Sequence, residues 1–178
     1  LIAQGQQDDR VALIEAGRDE IMLALTVNDE ESRRIHISNG RSNLILGKAR
    51  LGKALERRVS SFEAIPENGL IRFGKSVLKS NYLDKKDDEY EEIEQCFELY
   101  HKATNMLAMS WGLTGELDAL QSTYDDSHAF IKGLNLEKVK TIEYSHKGSD
   151  LSDLFYKTAL GDLKREKQIC LDAAKNYE

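Results

Sequence analysis

Between Tyr90 and Trp111, residues suited to a buried seam return at alternating intervals of three and four: Tyr90, Ile93, Phe97, Tyr100, Thr104, Leu107 and Trp111. Only an α-helix gathers such positions on one side of the backbone, and a helix with one apolar side is stable in water when that side lies against another element. A second run, Leu113, Leu117, Leu120, Tyr124, Ser127, Ile131 and Leu134, keeps the rhythm but is displaced by about one residue. The slip falls between Gly112 and Gly115. It predicts two antiparallel helices joined by a tight turn, with Thr114 as N-cap and Glu116 in the first turn of the second helix. One bent helix over residues 86–134 is the alternative.

Pro66 is the single proline of the chain, so little else interrupts helical backbone. Residues 1–7 have little pattern, after which Asp8 or Asp9 is placed to cap a helix carrying Val11, Ile14, Ile21 and Leu25 and ending near Asn28. From residue 29 to 65, Ile37, Leu44, Leu51, Leu55 and Phe62 form a narrow stripe despite glycines at 40, 47 and 52, which predicts a second long helix. Pro66-Glu67-Asn68-Gly69 closes it with turn chemistry, and residues 70–83 fit a short helix, or a strand. Residues 133–148 are a weakly patterned connection. Ser149 or Asp150 then caps a last helix bearing Leu151, Phe155, Ala159, Leu163, Cys170, Ala173 and Tyr177. The expected architecture is all-α: one domain over residues 1–178, a bundle or elongated array of long amphipathic helices with at least one antiparallel hairpin.

A chain that is 40% hydrophobic and 31% charged is too apolar to be disordered and suits helices with broad wet faces. Cys96 and Cys170 lie far apart outside any CxxC pattern, which points to buried thiols rather than a disulfide or zinc framework. The longest apolar run, Ile21 to Leu25, is far too short to span a bilayer. A soluble protein is expected, with a reducing compartment such as the cytoplasm favoured. The start at Leu1 reads as a processed product or a piece of something larger.

Charge is segregated along the chain. Between Arg33 and Arg58 stand eight basic residues, Arg33, Arg34, Arg41, Lys48, Arg50, Lys53, Arg57 and Arg58, against one acid, Glu56; Asp84 to Glu98 holds eight acids against Lys85 and Lys86. Arg34, Arg41 and Lys48 recur by sevens beside the apolar stripe, and Asp87 and Glu94 flank the Tyr90–Trp111 stripe in the same way. Flanks of opposite sign meet at helix seams and set which helices pair. The same basic helix could instead face an acidic protein, a phospholipid surface or nucleic acid. Nucleic acid is disfavoured by the pI of about 5.4 and by the lack of aromatic residues among the cations.

Two motifs invite chemistry. Gly47, Gly52 and Lys53 match G-x-x-x-x-G-K, but Ala54 replaces the metal-binding hydroxyl and the leucines keep helical phase through the segment. Glu98 and His101, and again Glu143 and His146, have the Glu-x-x-His spacing that di-metal helical bundles use twice; Asp125 and His128 repeat the interval. The further glutamates such a centre needs are badly spaced, and solvated i,i+3 pairs explain the pattern as well. No nucleophile has an elbow or triad context, and no cofactor is implied. The leading expectation is a non-catalytic scaffold domain that binds another protein, with self-association through a helical seam allowed and the basic helix as contact surface. A peripheral binder of anionic membrane and a di-metal carboxylate enzyme are the alternatives.

Overall fold

The computed structural model describes residues 2–61, 76–134, 165 and 167–176, with side chains described from Asp9 in the first helix and from Glu91 in the third. Among these, the helices with defined bounds are α1 (Ile2–Thr26), α2 (Glu30–Ser61), α3 (Ser76–Leu113) and α4 (Leu117–Gly133). Residues 167–175 are also helical, and no strand occurs among the described residues. The all-α expectation is met. In packing order, α2 lies between α1 and α3, and α4 lies on α3. Phe62, the Pro66–Gly69 turn, residues 135–150 and the last helix before residue 165 fall outside the described residues, as does Tyr177.

Helix ends depart from expectation in ways that local chemistry explains. α1 begins at Ile2, so Asp8 and Asp9 lie inside it rather than at its N-cap position. Its early residues include Ala3 and three glutamines, good helix formers that extend the helix to the N-terminal side of the aspartates despite Gly5. Asp29 caps α2 instead: its Oδ2 accepts the Ser32 N–H at 2.8 Å, and its carbonyl accepts the Arg33 N–H at 3.0 Å. The Ser32 side-chain and backbone bonds hold the Asp29 carboxyl below its ordinary pKa. Residues 76–83 are not a separate short helix but the start of α3, since no glycine or proline separates them from the acidic run.

The hairpin between α3 and α4 is present, and the bent-helix alternative is excluded. Gly115 has φ +72. The Glu116 N–H donates to Trp111 O at 3.0 Å and the Gly115 N–H to Gly112 O at 3.2 Å, the paired closure that ends a helix on a left-handed glycine. Thr114 is used by this closure and is not the N-cap of α4; Glu116 holds that position without a side-chain cap bond, and the Thr114 hydroxyl reaches Glu116 Oε2 at 2.6 Å.

The α1–α2 seam is built on glycine. A Cβ added at Gly40 would lie 2.7 Å from Ile21 Cδ1 and 2.9 Å from the Gly17 carbonyl; one at Gly17 would lie 2.7 Å from Leu44 Cγ; one at Gly47 would lie 2.8 Å from Ile14 Cδ1. Ile14, Ile21 and Leu44 therefore fill the space that side chains would take, and the pairing of Ile21 with Gly40 and Ile14 with Gly47 makes the helices antiparallel. Each glycine costs a helix interior about 1 kcal/mol. Close approach and dense apolar contact offset that cost. The same geometry corrects one core assignment: Ala24, seven residues after Gly17, is buried, while Leu25 is 50% exposed. A small residue is required where the backbones meet.

The α3–α4 seam follows the sequence rhythm closely. Ile93, Phe97, Tyr100, Thr104 and Leu107 of α3 are buried, as are Leu120, Tyr124, Ser127 and Ile131 of α4. The Thr104 and Ser127 hydroxyls stand 3.0 Å apart in the core, each also in reach of a carbonyl four residues earlier. Tyr124 donates its hydroxyl proton to Asn105 Oδ1 at 2.7 Å and lies 3.3 Å from Cys170 Sγ, which ties residues 167–175 to the hairpin. In that segment Cys170, Leu171 and Ala174 pack on the core, whereas Ala173 faces out.

Candidate interaction surface

The basic residues of α2 radiate from a helix whose apolar stripe is occupied by α1 and whose neighbouring face meets α3, so their positions around the helix decide their environments. Arg33 and Arg34 lie 3.7 and 3.3 Å from the Glu30 carboxylate of their own first turn, Arg33 also donating to Val27 O at 3.2 Å, and both are well exposed. Such pairs contribute little. Arg50 reaches across to Asp9 on α1, and Arg58 to Glu92 on α3. The acidic run of α3 and the basic run of α2 thus meet at Arg58 and Glu92, whereas Arg34 and Arg41, two of the expected flank residues, pair with Glu30 and Glu116 outside that acidic run.

Arg41 is the most deeply engaged of the eight. Its Nη2 donates to Ser110 O at 2.8 Å and to Thr114 Oγ1 at 2.5 Å, its Nε donates to Ser110 Oγ at 3.2 Å, and Glu116 Oε2 lies 3.1 Å away. The guanidinium carbon stands 3.6 Å from the centroid of the Trp111 ring. Burial lowers the Arg41 pKa, with Glu116 opposing. This cluster clamps α2 onto the end of α3 and the hairpin turn.

Lys48 is half-buried, its Nζ 5.2 Å from the centroid of the Tyr100 ring, and it has no hydrogen-bond or ion-pair partner among the described residues. Burial pushes its pKa down to about 8 while Asp126 pulls it upward. Tyr100 itself is raised to about 12, mainly by burial. Lys53 and Arg57 are exposed and without ionic partners among the described residues. The eight cations do not form one open patch: Arg41 and Lys48 are interhelical, Arg50 and Arg58 are paired across seams, and Arg33, Arg34, Lys53 and Arg57 face water.

Gly47, Gly52 and Lys53 lie within the unbroken α2 helix, where Gly52 stands close to Phe130 and Tyr100, so the segment is no phosphate loop. Glu98 is exposed and His101 half-buried on α3; Glu143 and His146 fall outside the described residues. No group of three or more His, Cys, Asp or Glu side chains converges on a metal position among the described residues. Cys96 and Cys170 are both free thiols; burial raises the Cys96 pKa, with Arg58 and Arg10 opposing. No described helix is long and apolar enough to cross a membrane. A recess of about 500 Å³ opens between the ends of α2 and α4, with Glu56, Val59, Phe130 and Leu134 among its lining residues.

Two surface features escaped the sequence reading. His36 Nδ1 and Glu20 Oε2 lie 2.6 Å apart across the α1–α2 seam, a link that needs the antiparallel register to be seen. Met22, Leu23 and Leu25 are each close to half exposed within four positions of α1, and Ile35 on α2 is 53% exposed. The apolar run Ile21 to Leu25 was visible in the sequence, but its division into a buried and an open side was not. No protein-family model matches this sequence, and comparison with curated proteins and with solved structures gave no significant match.

Proposed function

We propose that the chain is a non-catalytic interaction module that docks another protein through the open side of α1, a second copy of the chain being the first partner to test. The observation that carries this reading is the trio Met22, Leu23 and Leu25, exposed by 48%, 47% and 50%. Isolated exposed apolar residues need no explanation, but three such side chains so close together favour a surface that is covered in use. Met22 and Leu25, three positions apart, share a face that an amphipathic helix could cover. The charges of α2 support protein docking over an anionic membrane, because Arg41, Arg50 and Arg58 already hold acids within the fold and have less attraction to offer a lipid surface. Arg34, Lys53 and Arg57 remain open to steer an acidic partner.

The test is photo-crosslinking in the native host from a reactive side chain placed at Met22, with Ser122, exposed on α4, as the control position. Discrete adducts from position 22 and none from 122 are expected, and they should weaken when Arg34, Lys53 and Arg57 are reversed in charge. Equal adducts from both positions, or none from 22, would end this reading; retention on anionic vesicles that fails at raised salt would transfer support to the membrane alternative.

A further inference from the structure

The side of α2 turned away from α1 carries a further apolar rhythm that none of the described helices covers. Ile35, Ser38, Ser42, Ile45 and Ala49 follow one another at intervals of three, four, three and four, and every one of them is exposed. Leu46 lies beside them, and Ile35, Ile45 and Leu46 are each close to half exposed. Such intervals mark a helix–helix seam, as they do in α3 and α4. The charged residues within the span, Arg41 and Lys48, turn toward α3, where Arg41 donates to Ser110 O at 2.8 Å and Lys48 stands over the Tyr100 ring. His36 turns to Glu20 of α1. The outer face is therefore uncharged over four turns, in a chain that is 31% charged. One four-residue step beyond either end of the stripe charge returns with opposite sign: Glu31 precedes Ile35 and Lys53 follows Ala49. Both are exposed, and neither has an ion pair among the described residues.

We propose that this face binds the same face of a second copy of the chain, α2 lying antiparallel on α2 about a two-fold axis at Ser42. Positions equally far from Ser42 then meet. Ile35 comes opposite Ala49, Leu46 opposite Ser38 and Ile45 opposite Asn39, so each large apolar side chain faces a smaller one, as interdigitation across a self-complementary interface requires. Glu31 comes opposite Lys53, and the two-fold repeats that pair at the other end of the seam, about 33 Å away along the helix. A parallel arrangement would instead set Glu31 on Glu31 and Lys53 on Lys53, repelling at both ends. The Ser42 hydroxyl already donates to Ser38 O at 3.0 Å, so the axis buries no unpaired donor. Arg34 and Arg50 at the borders hold Glu30 and Asp9 of their own copy, which damps repulsion between the two basic helices. An acidic protein or an anionic membrane would find no free cation along the middle of this face. The surface lies on a different helix from Met22, Leu23 and Leu25 and does not depend on them.

Sedimentation equilibrium of the whole chain over a range of concentrations reads the association directly, and a reversible monomer–dimer equilibrium is expected. Ser42→Glu sets two carboxylates together at the axis and should weaken the dimer by about tenfold or more, with far-UV circular dichroism unchanged because the position is exposed. Lys53→Glu should weaken it less. Combining Lys53→Glu with Glu31→Lys should restore it, since the pair is then only exchanged between copies. A monomer at every concentration, a dimer indifferent to Ser42→Glu, or a double variant no tighter than Lys53→Glu alone would overturn the proposal. Met22→Ser should leave the dimer intact. A dimer lost in Met22→Ser and kept in Ser42→Glu would move self-association to α1 and overturn this interface while leaving the reading of α1 standing.

Discussion

Where α1 meets α2, glycine faces receive the tips of Ile14, Ile21 and Leu44, whereas α3 meets α4 through aromatic rings and a pair of buried hydroxyls. The first seam is held by proximity: backbone stands near backbone, as at Gly40 and Gly17, and polar links such as Asp9 with Arg50 and Glu20 with His36 lie at its flanks. The second is held by volume and by direction, because Tyr124 and Thr104 need partners for their hydroxyls as well as space for their bulk. A proximity seam should tolerate no added atoms, and a volume seam with doubly served hydroxyls should tolerate the loss of one bond.

The sharpest way to break that contrast is Gly40→Leu. Its side chain would run into Ile21 and the Gly17 carbonyl, and only one of those obstacles can rotate aside. Destabilisation of about 3 kcal/mol or more is expected from the midpoint of urea unfolding. Gly133→Ala, whose Cβ would meet nothing within 4 Å, should leave stability unchanged or slightly raised. Equal midpoints for the two variants would refute the close seam.

A smaller effect should come from pH. Lys48 titrates at about 8 in the folded protein and near 10.5 in the unfolded chain, so the unfolded state binds more protons across that window and stability rises with pH. Tyr100 works the other way: raised to about 12 from 10, it keeps its proton in the folded state after the unfolded chain has lost it, so stability falls between those values. The pair alone predicts a maximum near pH 10. The rising slope should fall well short of the ~1.4 kcal/mol per pH unit of one full proton, because Lys48 is only half-buried. Urea titrations from pH 7 to 11 should show the rise abolished by Lys48→Met and the fall abolished by Tyr100→Phe; a Lys48→Met profile that still rises would locate the effect elsewhere.

The smallest expected effect concerns the hydroxyls. Thr104→Val or Ser127→Ala removes one partner while the remaining hydroxyl still reaches its own helix carbonyl, so each should cost about 1 kcal/mol. The double variant should cost less than the sum by roughly 0.5 kcal/mol, measured as a double-mutant cycle. Strict additivity would mean that the 3.0 Å contact contributes nothing of its own.

The aromatic seam was almost wholly legible in advance, because large residues at three- and four-residue intervals report a buried face directly: Ile93, Phe97, Tyr100 and Leu107 are all in the core. The glycine seam was only half legible. Ile37, Leu44, Leu51 and Leu55 gave away the stripe of α2, but Gly40 and Gly47, its tightest contacts, read as interruptions because an absent side chain leaves no pattern of its own. The candidate surface was less legible still. Eight cations within one segment look alike in a string, and only their angle around α2 separates Arg41, clamped on Ser110 and Trp111, from Lys53 in water.

Helical class and the two apolar rhythms were written into the amino-acid order, since both depend on residues a few positions apart along one backbone. Which helix faces which, that Leu25 is open while Ala24 is shut, and that Lys48 has no ion-pair partner among the described residues while Arg58 has one were decided by the fold. These properties depend on groups brought together from distant parts of the chain, and neither burial nor a charge partner is defined until the helices have docked.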